Sequence, residues 1–214
     1  MDLAFATKFL GALFAIMNPF INLPIFLAIT SDETVDKRRV TARHVVLYTA
    51  IMCFIISMAG ASILSFFGIS TDAFRVAGGI VLLGIALSML NGQPITGHER
   101  GEHEKQAEAA SNGDGDSAAF YPMTFPMIVG PGTIATLIVY AAQAHEAAQI
   151  VSFVIVLCAT LTALLVVLYV SSSIGRLLSA KIRVVMTRLM GMILAAIAVE
   201  MILAGTKALM PGLG

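Results

Sequence analysis

Two long-range correspondences constrain what this chain can fold into more than any local pattern does. Asn18-Pro19-Phe20-Ile21-Asn22-Leu23-Pro24 interrupts the first of six apolar stretches, and Gly130-Pro131-Gly132-Thr133 interrupts the fourth. Pro19 falls opposite Pro131, and Arg75-Val76-Ala77-Gly78-Gly79-Ile80 falls opposite Arg188-Leu189-Met190-Gly191-Met192-Ile193. The proline-to-arginine spacing is 56 residues in one half (75 − 19) and 57 in the other (188 − 131). The second half therefore reads as a repeat of the first, three apolar stretches at a time. Because three is odd, the second copy must cross a membrane in the opposite sense. Inverted repeats whose matching spans are broken by Gly and Pro mark a secondary transporter with a binding site near the bilayer midplane.

The membrane assignment rests on composition. The chain is 58% hydrophobic and 12% charged, against roughly 25% charged residues in an ordinary soluble domain. A net charge of zero removes the electrostatic case for a nucleic-acid partner. Six stretches, near 4–29, 42–67, 73–91, 120–142, 148–172 and 184–206, are long enough to cross about 30 Å of hydrocarbon as helix. Continuous apolar runs without alternation favour helices over a barrel. The first is a span and not a signal peptide, being long, broken by two asparagines and two prolines, and without a small-residue cleavage site. The expected fold is thus an all-α membrane protein: six transmembrane helices in a 3+3 inverted repeat, with helices 1 and 4 discontinuous. Residues 1–91 form the first repeat, 92–119 a polar cytoplasmic linker and 120–214 the second repeat.

Charge sets the orientation. Lys37, Arg38, Arg39, Arg43, Arg100, Lys105, Arg176, Lys181, Arg183 and Arg188 fall on one side, and only Lys8, Arg75 and Lys207 on the other. The basic excess marks the cytoplasmic face. Both termini are then expected on the outer, periplasmic side of an inner membrane. With no tryptophan, the interfacial aromatic belt has to come from Phe and Tyr.

The breaks are the candidate site. Proline inside a helix removes a backbone hydrogen bond and clashes with the preceding turn, and irregular backbone at membrane depth survives only inside protein or against a cavity. A new helix N-terminus in mid-membrane suits a carboxylate, and the opposite end an ammonium. Asn18, Pro19, Asn22, Gly130, Pro131, Gly132 and Thr133 form the expected binding set, with Thr136 adding another hydroxyl nearby. Glu200, the one carboxylate well inside a span, is a candidate for ion or proton coupling, or a partner of Lys207 near the interface. Gly78, Gly79 and Gly191 are expected to let helices approach closely, and Arg75 and Arg188 to act as snorkelling anchors.

Other chemistries find little support. Cys53 and Cys158 lie in apolar spans, where small buried hydrophobes are the expected role. His98, Glu99, Glu102, His103 and Glu104 have no defined metal-ligand spacing, so neither a metal nor another cofactor is expected. Hydrolytic, redox and phosphoryl-transfer motifs are absent, and the chain does not read as an enzyme.

At the broken spans the chain resembles the MarC family of integral membrane proteins, which includes small neutral amino acid transporters. The family's Asn-Pro-x-Gly-Asn-x-Pro and Pro-x-x-x-Gly-Pro-Gly patterns read here as Asn18 to Pro24 and Pro126 to Gly132. The Arg-x-x-Gly-Gly start of span 3 and the Arg-x-x-Gly start of span 6 also match, and the likeness covers all but residues 92–119. Ile21 departs from the family's Gly, and Glu200 from a frequent Gln. The resemblance implies carriage of a small neutral amino acid such as glycine or alanine, while the sequence leaves open a coupling proton or sodium ion and an oligomer. An exporter of amino acids or related metabolites, and a channel or structural membrane protein, are the alternatives.

Overall fold

The computed structural model describes residues 1–91, 119–173 and 180–210. The expected linker, apart from Ala119, and its histidine and glutamate residues lie outside them. The described residues form α1 (Leu3–Met17), α2 (Pro19–Ile29), α3 (Val35–Phe66), α4 (Thr71–Leu90), α5 (Pro131–Gln143), α6 (Ala147–Tyr169) and α7 (Ala180–Leu209), with a stretch of wide π-type turns over Ala119–Ile128. No strand occurs among them.

Helix starts follow local chemistry. Asp2, Thr34 and Ser70 accept hydrogen bonds from the first turns of α1, α3 and α4, and Glu146 with Gln149 makes a capping box on α6. Thr34 starts α3 several residues before the apolar run expected from 42, so the helix carries Lys37, Arg38, Arg39 and Arg43. The turn between α3 and α4 contains Gly68 at φ 68°, a conformation that disfavours any side chain.

Among the described residues five stretches are long and apolar enough to cross a bilayer: Leu3–Leu27, Val35–Phe66, Thr71–Leu90, Ala147–Tyr169 and Val184–Leu209. The fourth span expected, at 120–142, is not among them, because it is divided. Its helical part, α5, has 13 residues, roughly 20 Å at 1.5 Å per residue. Proline chemistry explains the division. A residue before proline is pushed out of the helical region, and Tyr121 (φ −124°, ψ 127°), Phe125 (φ −122°, ψ 129°) and Gly130 (φ −90°, ψ −177°) are all extended. Asn18, before Pro19, also leaves the helical region, whereas Pro24 sits inside α2.

Large apolar side chains such as Phe54, Met58, Ile80, Val154 and Leu203 are exposed, which is the inside-out pattern of a protein whose solvent is lipid. Phe66 and Phe67, at the end of α3, are strongly exposed and suit the interfacial belt. The α1–α2 span is the most buried of the five. One face of α1 joins a core of Phe5, Phe9, Leu13 and Met17 with Tyr140, Phe153 and Leu164. The other packs Ala15 and Ile16 on Leu82, Ala86, Leu194 and Ala198. Polar side chains within the spans bond their own helix, as Thr49 does to the Val45 carbonyl and Thr160 to that of Val156. Cys53 is buried as expected, while Cys158 faces outward.

The helix pair α4–α7 runs antiparallel at glycine-limited distance. A Cβ on Gly79 would stand 2.9 Å from the Ala198 carbonyl oxygen, and one on Gly191 3.1 Å from that of Ala86. Gly205 meets the Asp72 carbonyl in the same way, at 2.8 Å. The close-contact role expected of the glycines holds, and it is Gly79, not Gly78, whose surroundings resemble those of Gly191. Gly79 and Gly191 occupy matching environments and are 112 residues apart (191 − 79). The same interval separates the starts of α2 and α5 (131 − 19) and of α3 and α6 (147 − 35). In that register Arg75 falls opposite Thr187, one residue before Arg188.

At one end of the bundle the start of α3 is tied to the end of α6. Arg38 donates to Ser172 Oγ (2.9 Å) and the Thr30 carbonyl (2.7 Å), while Arg39 and Arg43 lie 5.1 and 5.5 Å from the Tyr169 ring centroid. At the other end the Asp2 amide donates to Ser152 Oγ at 2.9 Å, joining the N-terminus to the start of α6.

Candidate functional site

The two breaks are narrower than the sequence implied. Around the first, only Asn18 is non-helical, and Pro19 opens α2; around the second, Val129 and Gly130 are non-helical, and Pro131 and Gly132 open α5. Proline suits a first helical position, since its missing N–H would be orphaned there anyway. The breaks also lie close together. A Cβ on Gly132 would stand 3.5 Å from Ile16 Cγ2, near the end of α1, and 2.7 Å from Ile85 Cδ1 of α4.

The first break satisfies much of its own backbone. Asn18 Oδ1 accepts from the amides of Phe20 (3.1 Å) and Ile21 (3.4 Å), capping α2. Asn22 Nδ2 donates to the carbonyl of Met17 (3.0 Å), and to that of Asn18 (3.3 Å), which also accepts from the Ile21 and Asn22 amides. At the second break Thr133 Oγ1 donates to the Ile128 carbonyl at 2.7 Å. Asn22 and Thr133, both in the expected binding set, are thus engaged in holding the breaks.

What remains uncommitted is informative. Gly130 brings no side chain to the first amides of α5, the one described helix start preceded by glycine. Asn18 Nδ2 and Thr136 Oγ1 are buried without a hydrogen-bond partner. An unsatisfied buried polar group is costly; Asn18 is at the first break, and Thr136 lies within α5, six residues after Gly130. Thr136, one turn beyond Thr133, is therefore the better-placed donor. The hydrogen-bond inventory distinguishes the two threonines, which the sequence did not. Asn18, Thr133 and Thr136 have no solvent exposure at all. Gly132 is walled by Ile16, Leu82 and Ile85, so a leucine there would strike packed side chains instead of filling an open site.

The partner of Glu200 differs from the one expected. Glu200 pairs with Lys8 of α1, not with Lys207, and both side chains are more than half exposed. Arg75 turns toward Asp72, its Nη1 3.0 Å from the carboxylate, with a side-chain exposure of 18%. Lys8, Arg75 and Glu200 open onto a cavity of about 230 Å³ that also meets Tyr140 and Gln143. A second cavity, of about 440 Å³ between α1, α6 and α7, is almost wholly apolar and offers nothing to a charged ligand. Among the described residues no group of three or more His, Cys, Asp or Glu could hold a metal.

The chain matches the family described as "MarC family integral membrane protein" over residues 3–210. It is 36% identical to a UPF0056 membrane protein of Methanocaldococcus jannaschii over 97% of this chain and 98% of that one. It is 34% identical to the UPF0056 membrane protein YvbG of Bacillus subtilis (99% and 98%) and 32% to YhcE of Escherichia coli (96% and 94%). No solved structure matches.

Proposed function

For a chain that belongs to the MarC family of integral membrane proteins, we propose that its work is secondary transport of small neutral amino acids by alternating access. The observation that carries this reading is the pairing of an uncapped helix start with two partnerless buried groups. The N-terminus of α5 suits a carboxylate, with Asn18 Nδ2 and Thr136 Oγ1 as further partners and the carbonyl end of α1 facing the ammonium. Ile16, Leu82 and Ile85 crowd Gly132, which favours a ligand the size of glycine or alanine. With every polar member buried, α1 has to separate from α4 and α5 to admit ligand, as alternating access requires.

Counting the Ala119–Ile128 stretch and α5 as one broken span gives six crossings in a 3+3 inverted repeat. The constant interval of 112 residues at α2/α5, α3/α6 and Gly79/Gly191 supports it, as does the meeting of Ile16 with Gly132. The basic excess supports an inner-membrane protein with both termini outside. On a background lacking Cys53 and Cys158, single cysteines at Asp2, Thr71 and His145 should label from the periplasmic side. Those at Lys37 and Lys181 should label only after permeabilisation. The opposite pattern removes this orientation.

Radiolabelled glycine and alanine uptake in proteoliposomes, under imposed proton or sodium gradients, tests the function. Saturable uptake with counterflow is expected. An unsaturable conductance would replace the carrier with a channel, and absence of any flux would leave a structural membrane protein.

A further inference from the structure

The cavity between α1, α4, α5 and α7 holds charges of both signs against an apolar wall. Lys8, Arg75 and Glu200 line it together with Tyr140 and Gln143, and Phe5, Ile197 and Met201 supply the apolar surface. We propose that this cavity is a second binding site, outside the broken helices, for a free α-amino acid, taking the carboxylate on Arg75 and Lys8 and the ammonium on Glu200.

Three features argue for a ligand site over a structural ion-pair cluster. The Lys8–Glu200 pair is more than half exposed, and exposed pairs contribute only about 0–1 kcal/mol. A zwitterion can therefore enter between its partners at little cost, exchanging one ion pair for two. Arg75 lines the cavity, and its ion pair with Asp72 engages Nη1. The guanidinium fork thus keeps donors free for a second carboxylate. The volume, about 230 Å³, lies below the ~300–1,000 Å³ typical of pockets for drug-sized ligands, which fits a small metabolite.

The cavity is separate from the breaks. Phe5 and Tyr140 pack edge-on at its wall, with centroids 5.6 Å apart. Behind them the fully buried Phe9 stacks on Phe153 at 4.7 Å. Phe9 precedes Asn18 by nine residues, roughly 13 Å along α1. Along α1 the two sites are thus more than two helical turns apart. On the transport reading, from which the class of ligand is taken, it is where substrate waits before entering or after leaving the central site.

Binding of radiolabelled alanine to the purified full-length protein, measured by equilibrium dialysis, tests the proposal. Propionate and ethylamine, each keeping one charge, serve as competitors. Alanine should bind saturably, with either competitor at least about tenfold weaker, because each lacks one ion pair or charged hydrogen bond. Glu200→Gln and Lys8→Met, both at exposed positions, should raise the Kd about tenfold without lowering Tm. Absence of alanine binding, or an unchanged Kd in both variants, overturns the proposal. Uptake in proteoliposomes separates it from the transport reading. Uptake with an unchanged KM in Glu200→Gln and Lys8→Met sinks the outer site alone. Glu200-dependent binding without any uptake sinks transport alone.

Discussion

Gly79→Leu is expected to remove most of the folded protein from the membrane. The first atom of the new side chain would already lie 2.9 Å from the Ala198 carbonyl oxygen and 3.2 Å from the Ile202 amide nitrogen. Backbone cannot rotate aside as a side chain can, so α4 and α7 would have to part along their length. Overpacking a well-fitted interior costs about 1–3 kcal/mol and sometimes more, and this case belongs at or above the upper end. Gly191→Leu meets backbone at 3.1 and 3.2 Å and should behave alike. Gly84, on the same helix, has nothing within 4 Å of its would-be Cβ. Gly84→Leu should leave Tm unchanged or raise it, since a helix interior gains up to ~1 kcal/mol when glycine is replaced. Yield and Tm of the three variants after detergent extraction measure the contrast. Equal behaviour would mean that the glycine seam does not hold these helices together.

Thr133→Val and Thr136→Val are expected to fail in opposite ways. Thr133 Oγ1 satisfies the Ile128 carbonyl beside the break. Its loss strands that acceptor in a buried place, at about 1–3 kcal/mol, and should appear as a lower Tm. Thr136 Oγ1 satisfies nothing within the described fold, so its removal should leave Tm unchanged or raise it. If that hydroxyl meets a charged substrate group, worth about 1.5 kcal/mol, Thr136→Val should weaken affinity about tenfold. The KM for alanine uptake and the Tm of each variant decide the matter. A normal KM in Thr136→Val would separate this threonine from substrate, and a normal Tm in Thr133→Val would deny the carbonyl bond its structural role.

Several residues explain which parts of this were readable in advance. Pro19 and Pro131 located the breaks because proline acts on its own backbone and on the residue before it. The same rule applied to Tyr121-Pro122 and Phe125-Pro126 would have anticipated the extended residues that leave α5 short. Residue types pair Arg75 with Arg188, whereas the 112-residue interval between helix starts pairs it with Thr187. Gly79 and Gly191 are alike in what surrounds them, which residue types do not record. Asn22 and Thr133 were grouped with the binding residues because their chemistry allows it. Only the positions of the Met17, Asn18 and Ile128 carbonyls show that both are already engaged.

The sequence by itself determined the membrane class, the broken spans and the small residues at the α4–α7 seam. These follow from interactions within a few residues or from the need to bury backbone in lipid. The pairing of Lys8 with Glu200, the turn of Arg75 into a cavity and the isolation of Thr136 were decided by tertiary structure. Each depends on which side chains from distant segments arrive at one place. A long side chain can pair with any opposite charge within reach, and chain order does not record which one helix packing will bring there.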